Sequence, residues 1–411
     1  MQGVGLVLAF GASVFLAKVL GAGGLGQFSY VMAMVAVLSV VVAAGLPTVV
    51  ARLISVYEAK AQWGLANGLL RWAGRRIAAW ALLIAALFVA YGILGQEKVS
   101  GWLYLFAAPL IPVLALTNLR QRALQALHCP IAAQLPEQLI KHTAFLLLGG
   151  VLVVAGSDIP KLPQGAMALW LLAGLVSLSV GTWLLAWAKA ERLERAPPEY
   201  RASEWCAIAS SLFLAETLGV LFVNTDTLLL GLLRSSEEVG VYQIALRLSS
   251  LLLVFLGASN WVLAPWFARF HAREERERFQ SVVTRSSRIV FLVTLSIFGI
   301  LVVVGEPLLG LFFGQTFEAA YPLMLILGVG HLVNVASGPV VNLLAMSGGQ
   351  KELAWGVGIC TLANLVLCGV LIPQYGTTGA AISVAMVTSV YNLLLAMIVK
   401  RKIGIRPTVF G

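Results

Sequence analysis

The chain has 411 residues, of which 60% are hydrophobic and only 11% are charged, and its formal net charge is +10. Soluble globular domains carry about 25% charged residues, so lipid must cover much of this chain's surface. The positive charge, which would suggest a nucleic-acid partner in a soluble protein, is expected here in the loops of a membrane protein. The four cysteines and four histidines follow no zinc-binding or redox spacing, so no metal site or cofactor is predicted.

Runs of about 20 mostly apolar residues, the length that crosses the hydrocarbon core of a bilayer, recur along the whole chain. Twelve such runs can be recognised, six in each half. They cover residues 2–20, 28–44, 77–94, 103–119, 139–155, 166–188, 206–230, 241–267, 289–312, 321–346, 353–372 and 380–399. The sequence therefore predicts an all-α integral membrane protein with about twelve transmembrane helices, in two pseudo-equivalent six-helix bundles that comprise residues 1–200 and 201–411.

Lysine and arginine are distributed unequally between the two sides of the predicted membrane. Of the 28 basic residues, 23 lie after even-numbered spans or in the C-terminal tail, and Lys18, Lys98, Lys161 and Arg234 lie on the other side. Cytoplasmic loops collect Lys and Arg, so both termini are predicted to be cytoplasmic. The first run lacks the basic segment that begins a secretory signal, which favours a permanent transmembrane helix over a cleaved peptide.

The two halves of the sequence share short matches at one spacing. The tripeptide GQF at 26–28 recurs as GVY at 240–242, and the dipeptide GA at 165–166 recurs at 379–380, each at an offset of 214. A unit with an even number of spans must be followed by a copy that enters the membrane in the same direction. The repeat therefore predicts parallel halves related by an axis along the membrane normal, with the substrate path between them.

Four segments carry a family likeness: LAKVLGAGGLGQF at 16–28, NTDTLLLG at 224–231, VGVY at 239–242 and LIPQYGTTGAAI at 371–382. Through them the chain resembles the polysaccharide flippases of the multidrug/oligosaccharidyl-lipid/polysaccharide exporter superfamily. The resemblance implies a MATE-like fold and the transfer of an undecaprenyl-diphosphate-linked sugar chain from the cytoplasmic to the outer leaflet of the cytoplasmic membrane. Close relatives in that superfamily move lipid II, and more distant ones export drugs or cations.

Among the ionisable residues inside predicted spans of the second half, three are candidates for a function, because their burial in lipid is costly. Glu216, near the middle of span seven, has no basic residue one turn away, and it either stays protonated or faces the substrate path as a proton or cation site. Asp226 in span seven and Arg247 in span eight lie equally far from the turn at 234–238, which predicts an ion pair. That pair either fixes the hairpin or releases one partner to substrate phosphate or a proton.

Three basic residues, Lys18, Arg52 and Arg269, lie at the ends of spans one, two and eight. They either extend to lipid headgroups or line the substrate path, where arginine can bind phosphate through two parallel hydrogen bonds. The resemblance implies the second role, because basic residues on these three spans serve the substrate diphosphate in lipid II flippases, although position 18 carries Lys where Arg is usual. Together with Arg247, these residues are the predicted diphosphate-binding set.

Other charged residues are predicted to have structural roles. Glu137 and Lys141 stand four residues apart, in the favourable order for an intrahelical pair at the start of span five. The charged segment 269–288 is predicted to be a solvated helical loop whose positive charge attracts anionic headgroups.

The sequence contains no Walker motif, so an H+ or Na+ gradient coupled through Glu216 or Asp226 is the predicted energy source. The predicted partners are a lipid-linked sugar, membrane lipids and an envelope-polysaccharide polymerase or glycosyltransferase, without nucleic acid.

The main alternative function is a MATE-type cation-coupled drug antiporter, but its cavity should be acidic, whereas cations outnumber acids among the candidate residues of this chain. A membrane glycosyltransferase or polymerase fits less well, because the longest connection, 45–76, contains a single acidic residue, Glu58.

Overall fold

The computed structural model describes residues 2–95, 99–188, 196–260, 263 and 276–411, and the regular secondary structure of this part of the chain is helical throughout. The α-helices are α1 (Gln2–Ala43), α2 (Leu46–Ala59), α3 (Trp63–Leu94), α4 (Gly101–Ala107), α5 (Leu110–Ala126), α6 (Pro130–Leu135), α7 (Lys141–Val154), α8 (Pro163–Ala188), α9 (Ala202–Leu233), α10 (Ser236–Ser250), α11 (Arg276–Phe313), α12 (Ala320–Ala336), α13 (Val340–Met346) and α14 (Gln350–Ile403). A π-helical turn at Pro136–Ile140 joins α6 to α7. The predicted all-α fold class is confirmed.

Nine helical segments of the described residues are long and apolar enough to cross a membrane, and the pair α12 and α13, bent by 41°, makes a tenth. Two of the nine, α1 and α14, each contain one glycine with non-helical angles, Gly21 (φ 64°) and Gly376 (φ 58°). Each arm beside these glycines has about 19 residues or more, hence roughly 28 Å of helix. If the two arms of α1 and the two arms of α14 are each counted as a span, the ten candidates become twelve. The described helices are therefore consistent with the twelve predicted spans.

The joints within α1 and α14 differ from the prediction, which placed a connection of several residues between the spans of each pair. The chain is helical there apart from Gly21 and Gly376. Glycine adopts positive φ without steric cost, so one residue replaces a loop. At the second joint the chain folds back closely enough that a Cβ on Gly379 would lie 2.3 Å from the carbonyl oxygen of Leu371.

The packing divides the chain into two compact units, unit 1 (Met1–Leu221) and unit 2 (Phe222–Gly411). The boundary falls inside α9, so the first part of this helix packs with unit 1 and the rest with unit 2. These units describe packing, and the division into membrane bundles at residue 200 stays a prediction.

Large apolar side chains are exposed along the helices of both units. Leu94 and Val154 in unit 1 are 85% and 90% exposed, and Val303 in unit 2 is 78% exposed. Such surfaces are stable when hydrocarbon rather than water is the solvent, because helices already satisfy their own backbone hydrogen bonds. The outer surface therefore agrees with the predicted membrane environment.

In unit 1, the segment before α9 lies directly along α3. Asn67 Nδ2 donates a hydrogen bond of 2.9 Å to the carbonyl oxygen of Ala196. Close to it, a Cβ on Gly68 would lie 1.8 Å from the carbonyl oxygen of Glu199. Since no side chain fits at this contact, glycine at position 68 is needed for residues 196–199 to pack against α3.

We expect Gly68→Val to lower the thermal unfolding temperature of the purified protein strongly. Overpacking typically costs about 1–3 kcal/mol, and here the obstacle is backbone that cannot rotate away. Gly74→Val on the same helix is the matched control, because a Cβ on Gly74 would meet no atom within 4 Å. Equal unfolding temperatures for the two variants would contradict this packing.

In unit 2, the residues after α14 fold back onto the break between α12 and α13. The backbone N–H of Val409 donates to the carbonyl oxygen of Ala336 at 3.0 Å, and Arg288 Nε donates to the carbonyl oxygen of Val409 at 2.8 Å. A Cβ on Gly338 (φ 78°) would lie 2.1 Å from the carbonyl oxygen of Pro407. We call residues 405–409 the C-terminal strap, and this strap covers the helix break.

The joint of α14 is held by Arg234, in the turn between α9 and α10. Its Nη2 donates to the carbonyl oxygens of Ile372 and Pro373 at 2.8 and 2.9 Å. Carbonyls next to a helix break lack regular helical donors. The guanidinium supplies donors at this place.

Candidate functional site

The first part of α9 packs against the kink between α1 and α2 in unit 1. Gly45, which separates these two helices, has φ 75°, and a Cβ there would lie 2.6 Å from the carbonyl oxygen of Ala209. Trp205 is fully buried near the start of α9 and donates through Nε1 to the hydroxyl of Tyr57 at 3.0 Å. Glycine at position 45 therefore brings α9 close enough to α2 for their side chains to form hydrogen bonds.

Glu216 on α9 accepts one of these hydrogen bonds from α2. The Oγ1 of Thr48 on α2 donates a hydrogen bond to Glu216 Oε1. The Glu216 side chain is half-buried, and no ion pair involves it in the described part of the chain. A carboxylate that is held by a hydroxyl, without a cation beside it, can take up a proton or a cation with little rearrangement.

Asp226 lies in the part of α9 that belongs to unit 2 and is only 2% exposed. Its Oδ2 accepts a hydrogen bond of 2.5 Å from the hydroxyl of Tyr242, which is fully buried on α10. The predicted ion pair between Asp226 and Arg247 was wrong, because the structure gives the carboxylate Tyr242 as its partner.

The register of the α9–α10 hairpin explains this difference. α9 ends at Leu233 and α10 begins at Ser236, so the turn is centred about two residues earlier than the prediction assumed. Residue 242 therefore lies at the depth of Asp226, and Arg247 lies more than one helical turn farther from the hairpin turn. The Arg247 side chain is exposed.

Further polar side chains surround Asp226. Its second oxygen, Oδ1, has no hydrogen-bond partner among the described residues, and Cys368 on α14 lies close enough to interact electrostatically with the carboxylate. Cys368 Sγ donates to Asn364 Oδ1 at 3.5 Å, and Asn364 Nδ2 is buried without a partner. This polar cluster, formed by Asp226, Tyr242, Asn364 and Cys368, offers a carboxylate, a hydroxyl, an amide and a thiol away from solvent, which is the chemistry that holds a proton or a small cation.

Among the residues that the structure describes, no three His, Cys, Asp or Glu side chains are placed to hold a metal ion together. Sequence reasoning did not assign Tyr242, Asn364 or Cys368 to the site. The spacing of 364 and 368 on one helix face and the corrected hairpin register were the signals that could have found them.

The predicted diphosphate-binding residues are placed only in part. Lys18, three residues before Gly21, and Arg52 on α2 are exposed in unit 1, and neither makes an ion pair among the described residues. Arg247 is exposed in unit 2, and Arg269 lies outside the described residues. The grouping of these four cations around one substrate path stays a prediction.

Unit 1 also contains a charged pair, Glu137 and Lys141, whose burial was not predicted from the sequence. Lys141 Nζ lies 3.2 Å from Glu137 Oε2, so the predicted pair is confirmed, but Lys141 is only 7% exposed. Ser177 on α8 donates through Oγ to Glu137 Oε1 at 2.7 Å. Glu137 lies in the π-helical turn, a geometry frequent at functional sites, and its pairing therefore reaches beyond one helix.

Arg120 on α5 joins Glu137 and Lys141 in what we call the buried ionic cluster. Its side chain is 3% exposed, and Nη1 donates to the carbonyl oxygen of Ser177 at 2.7 Å. A Cβ on Gly181 would lie 1.7 Å from Nη1, so glycine lets the guanidinium lie against α8. Arg120 follows the predicted span 103–119 directly and was therefore expected in a connection, so its burial was not predicted.

Two family profiles match the sequence. The family described as "Polysaccharide biosynthesis protein" matches residues 1–271, and the family described as "MatE" matches residues 212–370. The chain is also similar to Agl15 of Haloferax volcanii, described as a probable low-salt glycan biosynthesis flippase. The two are 24% identical over 401 residues, which cover 95% of this chain and 80% of Agl15.

Solved structures of two transporters share the fold. An inward-facing multidrug resistance MATE family transporter of the MOP superfamily superposes with a TM-score of 0.79 at 14% identity, covering 97% of this chain and 94% of the other. The lipid II flippase MurJ, in an inward closed conformation, gives a TM-score of 0.76 at 12% identity, covering 96% of this chain and 86% of MurJ. Together, the profile and structure matches confirm the predicted family resemblance and the MATE-like fold.

Proposed function

Because the chain belongs to the polysaccharide biosynthesis protein family, we propose that it is a flippase that moves a lipid-linked oligosaccharide across a membrane. The observation that carries this proposal is the similarity to the Haloferax volcanii flippase over 95% of the chain. The chain is a multi-pass membrane protein, and its relatives make it a transporter rather than an enzyme. Transport would proceed by alternating access of a central path to the two sides.

The proposed cargo is a polyprenyl-diphosphate-linked oligosaccharide, transferred from the cytoplasmic to the outer leaflet of the cytoplasmic membrane. Lys18, Arg52, Arg247 and Arg269 are the proposed contacts of the diphosphate. The exposure of Lys18, Arg52 and Arg247 supports this role, because a diphosphate that leaves water needs charge-assisted hydrogen bonds in place of its hydration. An envelope-polysaccharide polymerase or glycosyltransferase is the proposed partner that would use the transferred substrate.

The proposed energy source is an H+ or Na+ gradient. Asp226 supports this proposal because its carboxylate is buried with one oxygen unpartnered. Glu216 supports it because Thr48 holds its carboxyl group, which forms no ion pair in the part of the chain that the structure describes. Both carboxylates could bind the coupling ion in one conformation and release it in another.

Reconstitution tests the proposed function. The full chain would be placed in vesicles that contain a fluorescent polyprenyl-diphosphate oligosaccharide, and a membrane-impermeant glycosidase outside would report each sugar that crosses. We expect cleavage beyond the half of the substrate that faces outward at the start, and slower cleavage with Arg52→Gln. Cleavage that stops at the initial outer half, with or without an ion gradient, would contradict the proposal.

A cation-coupled drug antiporter is the second candidate. The MatE match over residues 212–370 and the fold similarity to a multidrug transporter favour it. In the same vesicles, uptake of a hydrophobic cation such as ethidium, driven by an ion gradient and not inhibited by the lipid-linked sugar, would select the antiporter instead.

Thr48→Val tests the coupling role of Glu216. Valine keeps the shape of threonine but removes the hydrogen bond, and bonds to charged groups contribute about 1.5–3 kcal/mol. If the coupling ion binds at Glu216, half-maximal transport should need a different ion concentration in this variant, because the carboxyl group has lost its hydroxyl partner. Thr182→Val, which removes an exposed hydroxyl on α8, is the control. The same ion dependence for both variants would exclude Glu216 from coupling.

A further inference from the structure

The two arms of α14 enclose a groove of about 410 Å³ on the surface of unit 2. Trp355 and Ile359 line one wall, and Leu394 and Ile398 line the other. Trp355 is 74% exposed and Ile359 is 60% exposed, so the groove opens to the surroundings of the protein rather than to its core. Apart from one end, the lining is apolar, which is suited to a hydrocarbon chain.

The floor of the groove is formed by small and buried residues. A Cβ on Gly356 would lie 3.0 Å from the ring of Tyr391, so any larger side chain at 356 would reduce the depth of the groove. Cys360 and Leu395, with 4% and 1% exposure, close the bottom. The groove is therefore a shaped depression between packed helices.

The mouth of the groove, near the beginning and end of α14, carries positive charge. Lys402 Nζ lies 2.6 Å from Glu352 Oε1, and this pair neutralises the one acidic residue at the mouth. Lys351 is exposed, and within the described chain it has no ion-pair partner. Lys400 and Arg401 are exposed on the adjoining turn. An anion next to the groove would thus meet Lys351, Lys400 and Arg401, which form no ion pair among the residues that the structure describes.

We propose that this groove binds an anionic phospholipid of the bilayer, with an acyl chain against Trp355 and Ile359 and the phosphate beside Lys351. The occupant must combine a hydrocarbon chain with net negative charge, because the groove is apolar and its mouth is cationic. Basic residues next to a membrane span attract anionic headgroups, and tryptophan is favoured at the level of the headgroups. This inference does not depend on the transported substrate.

The test uses the full-length protein in phosphatidylcholine nanodiscs and phospholipids with brominated acyl chains, which quench nearby tryptophan fluorescence. The difference between the parent protein and Trp355→Phe isolates the signal from the groove. We expect this signal to reach half-maximal quenching at a mole fraction at least fivefold lower with brominated phosphatidylglycerol than with brominated phosphatidylcholine. Lys351→Gln should abolish the difference, and Gly356→Val should weaken quenching by both lipids.

Lys60→Gln, which removes an exposed lysine at the end of α2 in unit 1, is the matched control and should keep the preference. Equal quenching by the two lipids, or a preference that survives Lys351→Gln, would overturn the proposal. Polyprenyl phosphate that displaces brominated phosphatidylglycerol at equal mole fraction would show that the groove instead holds an isoprenoid carrier. Displacement by inorganic phosphate alone would mean that the mouth binds an anion without a lipid.

Discussion

Glu137→Ala should lower the free energy of unfolding by about 3–5 kcal/mol, because it leaves two buried cations without their counter-charge. Arg120 and Lys141 are 3% and 7% exposed, and in the variant no acidic group of the buried ionic cluster would remain beside them. The measurement is the thermal or denaturant-induced unfolding of the purified protein in one detergent. Addition of Lys141→Met to Glu137→Ala should restore part of the loss, since it removes one of the uncompensated charges.

The exposed pair formed by Asp158 and Lys161 is the control for this prediction. Its N–O distance of 2.7 Å is shorter than the 3.2 Å of the Glu137–Lys141 pair, but its side chains are 79% and 61% exposed. The Lys161 ammonium lowers the pKa of the Asp158 carboxyl by hydrogen bonding and charge. Exposed ion pairs contribute little because water screens them, so Asp158→Ala should leave the unfolding temperature unchanged. Equal losses of stability in Asp158→Ala and Glu137→Ala would show that burial does not determine how much these ion pairs stabilise the protein.

Asp226→Asn should reduce ion-driven transport to the rate of protein-free vesicles while the protein stays folded. The amide oxygen can still accept the Tyr242 hydrogen bond, so the packing of the polar cluster is preserved, but an amide cannot exchange a proton or neutralise a cation. The measurement is the glycosidase-accessibility assay, with and without an imposed H+ or Na+ gradient. Transport that remains fully gradient-dependent in Asp226→Asn would remove this residue from the coupling site.

Tyr242→Phe separates structural from functional loss at the same cluster. It keeps the Asp226 carboxylate but removes its hydroxyl partner, and a buried acceptor without its partner costs about 1–3 kcal/mol. We therefore expect a lower unfolding temperature together with retained gradient dependence. The opposite pattern, a stable protein without coupling, would assign the proton-binding role to the tyrosine hydroxyl instead.

The sequence was sufficient for the all-α fold class, and the described helices are consistent with the predicted number of spans, because apolar runs are properties of single segments. The helix breaks and the register between neighbouring helices were harder to predict from the sequence. Glycine is suited both to loops and to helix breaks because it adopts positive φ without steric cost, so the one-residue turns at Gly21 and Gly376 were not predictable. An error of two residues in the α9–α10 turn was enough to exchange Tyr242 for Arg247 as the partner of Asp226.

The candidate site was also predictable only in part. Asp226 was identified because a carboxylate within a span is rare, and the structure places it in a buried polar cluster. The bond from Thr48 to Glu216 depends on the contact of Gly45 with α9, which is tertiary information. Arg120 was assigned to a connection because a charged residue near the end of an apolar run reads as a boundary, although its partners lie on α8.

The C-terminal strap has a consequence for biosynthesis. The ribosome makes residues 405–409 about 70 residues after the helix break that they cover, which at about 5–20 residues per second is an interval of roughly 4–14 s. During that interval the carbonyl of Ala336 lacks the N–H of Val409 as its donor. Unit 2 can therefore complete its structure only after residue 409 has been synthesised, and a stop codon before the strap would damage a helix that had been synthesised long before.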